Sequence, residues 1–224
     1  MKTKDHFFKA VCTLAIPVAL QSMLQSSFSM VDQIMIGQLG EINVAGVGLA
    51  GKFASIYSVV ISAIGAVAGI MIAQYLGQKN RSEVRRSFFT NLLLGAGIAG
   101  MFMVICTLFP NQIMGAYTRD VQTRQAAAEY LMLISGTFVP MAGATLLSTL
   151  FRCLEKPRLP LYASILSALL NTGLNYIMIF GKLGISPMGV HGAAFATVIS
   201  QCANFLLMLL MLSKNGFLLK SNEG

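Results

Sequence analysis

The chain has 224 residues, of which 55% are hydrophobic and 11% charged, with a mean hydropathy of +0.71. Soluble domains carry roughly 25% charged residues, so water is not this chain's main solvent. A net charge of +8 would suit a nucleic-acid partner if it formed a basic face on a soluble element, but the charges sit between apolar runs and read as topology signals instead.

The cysteines, Cys12, Cys106, Cys153 and Cys202, lie in or at the ends of different apolar runs with no CxxC spacing. They therefore indicate neither a disulfide framework nor a zinc site, and packing is their expected role. The histidines are His6 and His191, at the amino-terminal tail and a helix end, so no zinc-like or haem-like ligand set is expected.

A helix needs about 20 apolar residues to cross the hydrocarbon core. Apolar runs between charges and turn residues predict six such helices in an all-α bundle. The first runs from Ala10 to Gly37. Its basic start, Met1-Lys-Thr-Lys4, resembles a signal peptide, but the apolar character continues to Ile36 without a small-residue cleavage site, so it is read as an uncleaved span. The others run from Val44 to Leu76, Ser87 to Phe109, Ala126 to Phe151, Leu161 to Phe180 and Val190 to Leu212. Residues 1–213 then form one lobe, and 214–224 a cytoplasmic tail or the start of a linker. Small-residue patterns, Gly65-Ala-Val-Ala-Gly69 and Ala96-Gly-Ile-Ala-Gly100, predict close helix packing.

Sorted by loop, Lys52, Arg119, Arg124 and Lys182 fall on one side of the membrane and the remaining Lys and Arg on the other. The positive-inside rule then places both termini in the cytoplasm, as an even number of spans requires.

Among the acidic residues only Asp32 lies well inside a predicted helix. A carboxylate at the bilayer centre costs about 2.5 to 3.5 kcal/mol on insertion scales, so such a group usually faces a polar cavity or a cation. Gln21, Gln25 and Asp32 share one face of the first helix by their spacing of four and seven, and Pro17 invites a bend nearby. Asn171 and Asn175 recur at i, i+4 on the fifth helix, and Thr197, Gln201 and Asn204 form a stripe on the sixth. One carboxylate, two amides and a hydroxyl are hard oxygen donors suited to a sodium ion or a proton-linked water network. An intramembrane enzyme would need a nucleophile and base or paired carboxylates, and Asp32 has no acidic partner in the other helices, so no enzyme is expected.

Several segments in order resemble the multidrug and toxic compound extrusion (MATE) family of transporters. They are Ile16-Pro-Val-Ala-Leu-Gln21, Val31-Asp-Gln-Ile-Met-Ile-Gly-Gln-Leu-Gly40, Ala73-Gln-Tyr-Leu-Gly-Gln-Lys-Asn80, Arg152-Cys-Leu-Glu-Lys-Pro157 and Gly189-Val-His-Gly-Ala-Ala-Phe-Ala-Thr197. The resemblance implies an antiporter in the plasma (bacterial inner) membrane that exchanges Na+ or H+ for cationic amphipathic drugs or metabolites. It implies a cation site at Asp32, Asn171, Asn175 and Thr197, with Gln21, Gln25, Gln201 and Asn204 as cavity-lining residues. The family has about twelve helices in two similar halves, and this chain resembles the first. The expected partners are therefore membrane lipid, a cationic small molecule, and a second six-helix lobe in the same chain or a second copy. Alternative readings are a lipid-linked-sugar flippase of a related superfamily, which needs cationic side chains in its cavity, and an inactive fragment or assembly subunit.

Overall fold

The computed structural model describes residues 2–184 and 186–214, and these are helical throughout apart from short connections. The helices are α1 (Lys2–Gly37), α2 (Glu41–Gly77), α3 (Arg81–Leu108), α4 (Pro110–Gly115), α5 (Val121–Ile134), α6 (Phe138–Cys153), α7 (Arg158–Phe180) and α8 (Gly189–Lys214). A single 3-10 turn, Ser135–Thr137, joins α5 to α6. Among the described residues, five helical stretches are long and apolar enough to cross a membrane: α2, α3, α5 and α6 taken together, α7, and α8. The architecture is an all-α, multi-pass membrane bundle. α1 runs unbroken through Pro17 and packs chiefly against α7. Apart from Lys214, the expected tail lies outside the described residues.

Several helices start before their apolar runs, because capping rather than hydropathy sets the first turn. The Asn80 side chain accepts from the Glu83 N–H at 3.2 Å, so α3 begins at Arg81 rather than Ser87. Asp120 accepts from the Thr123 N–H at 2.8 Å, so α5 begins at Val121 rather than Ala126. Such caps satisfy backbone donors that have no partner within the helix. The segment read as a plain loop after Phe109 contains α4, with Pro110 at its first position, where a missing N–H loses nothing.

The same cap makes stability depend on pH. Thr123 holds the exposed Asp120 carboxyl below its ordinary value. Its contribution is therefore fully present above the unfolded carboxylate pKa of about 3.9 and is lost as pH falls through the lower folded value. In acid melting series, Asp120→Asn should flatten this part of the stability profile; an unchanged profile would show that the cap contributes nothing.

The stretch formed by α5 and α6 is the bundle's centre. Of its most apolar window, 61% is buried, against 22 to 28% for the other four spans. Tyr57 on α2 stacks on Phe138, with ring centroids 4.2 Å apart, and its hydroxyl donates to the Phe138 carbonyl at 2.6 Å. The small residues on α2 act as expected: a Cβ at Gly65 would meet Thr145 at 3.3 Å, and one at Gly69 would meet Thr149 at 3.0 Å. On α3 the close approach is made by Gly95 against Leu146, whereas a Cβ at Gly97 or Gly100 would meet nothing within 4 Å. Outward positions carry large apolar side chains, such as Leu93 at 77% and Val59 at 69% exposure, as lipid contact requires.

Candidate functional site: two polar clusters inside the bundle

The predicted polar residues separate into two groups. The first joins α1, α7 and α8. Asn175, fully buried on α7, donates through Nδ2 to the Asp32 carboxylate of α1 and to Asn171 Oδ1 at 3.3 Å. Asn171 in turn donates to Thr197 Oγ1 on α8 at 3.5 Å, and Thr197 donates to the Ala193 carbonyl at 2.9 Å. The i, i+4 spacing stacks the two asparagines on one face of α7, and the packing of α7 against both α1 and α8 brings the other two residues to that face.

Asn175 Oδ1 is buried and accepts no hydrogen bond. An orphaned acceptor beside a carboxylate is costly unless something electropositive meets it, so the donor chemistry fits a cation or an ordered water. Among the described residues, no three His, Cys, Asp or Glu side chains gather closely enough to hold a metal. The set at Asp32 has a single carboxylate, with amide and hydroxyl oxygens completing it.

Tyr130 on α5 lies within coulombic range of Asp32 and is 6% exposed. Sequence reasoning missed it, because the polar end of an aromatic residue in an apolar run gives no periodic signal. Tyr130 also lines a pocket of about 330 Å³ with Asn43, Glu129 and His191. His191 Nε2 and a Glu129 carboxylate oxygen are 3.5 Å apart there, and both side chains are about half exposed. Exposed pairs contribute about 0 to 1 kcal/mol, so His191→Ala should shift the detergent melting temperature little. A large shift would mean that the pair is desolvated in the membrane-embedded protein.

The second group lines a separate cavity of about 290 Å³ that includes Gln21, Gln25, Gln201 and Asn204. Gln21 donates to Ser164 Oγ on α7 at 2.9 Å. Its Oε1 accepts from Arg152 at 3.3 Å. Arg152 is the residue that sequence reasoning misplaced: assigned to a cytoplasmic loop, it belongs to the last turn of α6 and lines the cavity. The signal was present, since Thr145, Ser148, Thr149 and Arg152 recur at helical spacing and all four line this cavity.

A multi-pass α-helical bundle with a polar interior at Asp32 and a second polar cavity is the class of protein that this fold and these clusters define. The model of the family described as MatE matches residues 17–177, and the chain belongs to that family, whose members are transporters rather than enzymes. It is 31% identical over 201 residues to the probable multidrug resistance protein NorM of Thermotoga maritima, covering 86% of this chain and 42% of that protein. It is 26% identical to the probable multidrug resistance protein YoeA of Bacillus subtilis, covering 95% and 46%. The chain thus spans less than half the length of these relatives. Among solved structures, it superposes with TM-score 0.85 on a MATE protein in complex with MaL6, at 20% identity, covering 93% of this chain and 46% of that one. On a MOP superfamily transporter from Pyrococcus furiosus, described as having a binding pocket of reversed polarity, the TM-score is 0.83 at 21% identity, covering 91% and 44%. At these identities the superpositions show a shared fold.

Proposed function

We propose that the chain is one lobe of a cation-coupled antiporter, with Asp32, Asn171, Asn175 and Thr197 holding the coupling ion, Na+ or H+. The observation that carries this reading is the unpartnered Asn175 Oδ1 beside the Asp32 carboxylate in the bundle interior. Family membership supports transport, and the relatives' names support export of drugs.

In this reading α1 is a sixth span, residues 1–213 make up the lobe with both termini in the cytoplasm, and the membrane is the plasma membrane. A second six-helix lobe, whether continuous with residues 214–224 or another copy, completes the cavity, and transporter sites lie at such repeat interfaces.

Each residue then has a stated task. Asp32 supplies the negative charge, and Asn175 holds it by donating to one carboxylate oxygen while its own Oδ1 faces the incoming ion. Asn171 relays this order to Thr197 on α8. Binding therefore joins three helices through one network. An ion shifts a conformational equilibrium only through different affinities for the two states; a rearrangement of α1 against α7 changes how well Asp32 is satisfied and provides that difference. A cationic amphipathic substrate needs the same negative charge, so a single carboxylate supports exchange by competition.

The test is efflux of ethidium from cells producing the protein, with the sodium and proton gradients collapsed separately. Efflux should stop with one of them. Export that survives the loss of both gradients would overturn secondary transport.

A further inference from the structure

The cavity between α1, α2, α6, α7 and α8 differs in charge from the Asp32 cluster. Among the described residues its one ionic liner is the exposed Arg152, and none of its lining residues is acidic. The guanidinium has five N–H donors, and its only side-chain partner among the described residues is the neutral Gln21. An arginine near a helix carboxyl terminus is favoured by the helix dipole, but this one also reaches across to α1.

Two further groups are left without partners. Ser148 Oγ and Asn204 Oδ1, on residues 7% and 8% exposed, make no hydrogen bond, and both residues line the cavity. A serine hydroxyl can donate, and rotation of the Asn204 amide presents its NH2 in place of its oxygen. Guanidinium, hydroxyl and amide then line one cavity as donors, with no carboxylate among its described lining residues.

We propose that this cavity is an anion-accepting site, centred on Arg152 with Ser148 and Asn204 as supporting donors, for a phosphate, sulfonate or carboxylate group. Arginine suits it because its planar fork meets such oxyanions in two-point fashion. The volume of about 290 Å³ lies at the low end of small-molecule pockets, so it admits a headgroup or the anionic end of an amphiphile. Gln21 and Asp32 are separated by eleven positions on α1, about 16 Å at 1.5 Å per residue, so the two sites are spatially separate. The proposal does not rest on the cation reading of Asp32.

The test uses the full chain in phosphatidylcholine nanodiscs, titrated with naphthalenesulfonate and followed by probe fluorescence. Wild type should bind it saturably. Arg152→Gln should weaken binding about ten- to a hundredfold, the range expected for one charge-assisted hydrogen bond. Arg152→Lys should fall between, and Gly97→Ala, at an exposed position of α3 where a Cβ meets nothing within 4 Å, should leave the sulfonate affinity unchanged. Where Arg152→Gln fails to reconstitute, Ser148→Ala carries the same comparison, with a severalfold loss expected.

Adding phosphatidylglycerol to the discs distinguishes the source of the anion. Weaker sulfonate binding to wild type identifies a lipid headgroup as occupant, and no change identifies a soluble anion; each supports the site. Sulfonate affinity equal in wild type and the cavity variants overturns it, as does the absence of both saturable sulfonate binding and retained phosphatidylglycerol. A loss of sulfonate binding in Gly97→Ala as large as in Arg152→Gln would show a general effect of substitution and also overturns the proposal.

Discussion

On the antiport reading proposed above, gradient-driven efflux in cells producing Asp32→Asn should fall to background while the amount of protein in the membrane stays unchanged. The substitution is nearly isosteric, and an asparagine at this position still accepts from Asn175 Nδ2 through its amide oxygen. What it removes is the full negative charge from the α1–α7–α8 network. Removing one partner of a close charge pair typically costs 2 to 5 kcal/mol. Cation affinity, read by calorimetric titration of the purified protein, should therefore drop by about a hundredfold or more. Insertion should be undisturbed, since a neutral amide crosses the membrane at lower cost than a carboxylate. Undiminished coupled efflux in this variant would rule Asp32 out as the coupling group. Efflux that persists without ion dependence would retain transport but assign coupling elsewhere.

Gly192→Ala acts on the same network through packing. A Cβ at Gly192 would lie 2.7 Å from the Met178 carbonyl oxygen and 2.8 Å from its carbon. These are backbone atoms of α7, and they cannot swing aside as a flexible side chain would. The Met178 oxygen is further held by the Met188 N–H at 2.9 Å. The added methyl must therefore push α8 away from α7, and overpacking of this kind costs about 1 to 3 kcal/mol.

The strain falls one to two turns from the Asn171–Thr197 hydrogen bond, which at 3.5 Å has little length to spare. Gly192→Ala should accordingly lower both the detergent melting temperature and the cation affinity. Gly97→Ala is the control. A Cβ there meets nothing within 4 Å, and exchanging glycine for alanine in a helix is favourable by up to about 1 kcal/mol. Equal melting temperatures for Gly192→Ala and wild type would show that the α7–α8 contact is looser than the structure has it. Gly143→Ala is a less discriminating probe, because its Cβ meets the Phe205 ring, which can rotate.

The sequence alone was sufficient for the solvent and for the faces of the helices. Lipid demands that every backbone polar group be paired within the segment, so long apolar runs with few charges leave a helical bundle as the outcome. Helical periodicity then placed Asp32, Asn171, Asn175 and Thr197 on stripes whose hydrogen-bonding capacity had to be met inside that bundle. Which stripe meets which was not legible in this way. A helix of fixed periodicity offers the same face at any rotation or depth of its neighbours, and register is set by close approaches such as Gly192 on Met178 and Gly69 on Thr149. Periodicity did not divide the eight polar candidates; the family resemblance implied the division, and the tertiary structure adds the hydrogen bonds that link one four and the cavity that the other four line. The tertiary structure also put the exposed Arg152 on the last turn of α6 and at the cavity, whereas a charge at the end of an apolar run reads equally as a loop residue or as the end of a helix. The helical spacing of Thr145, Ser148, Thr149 and Arg152 favours the helix, but the hydrogen bond to Gln21, 131 positions away in the chain, is carried by no local pattern.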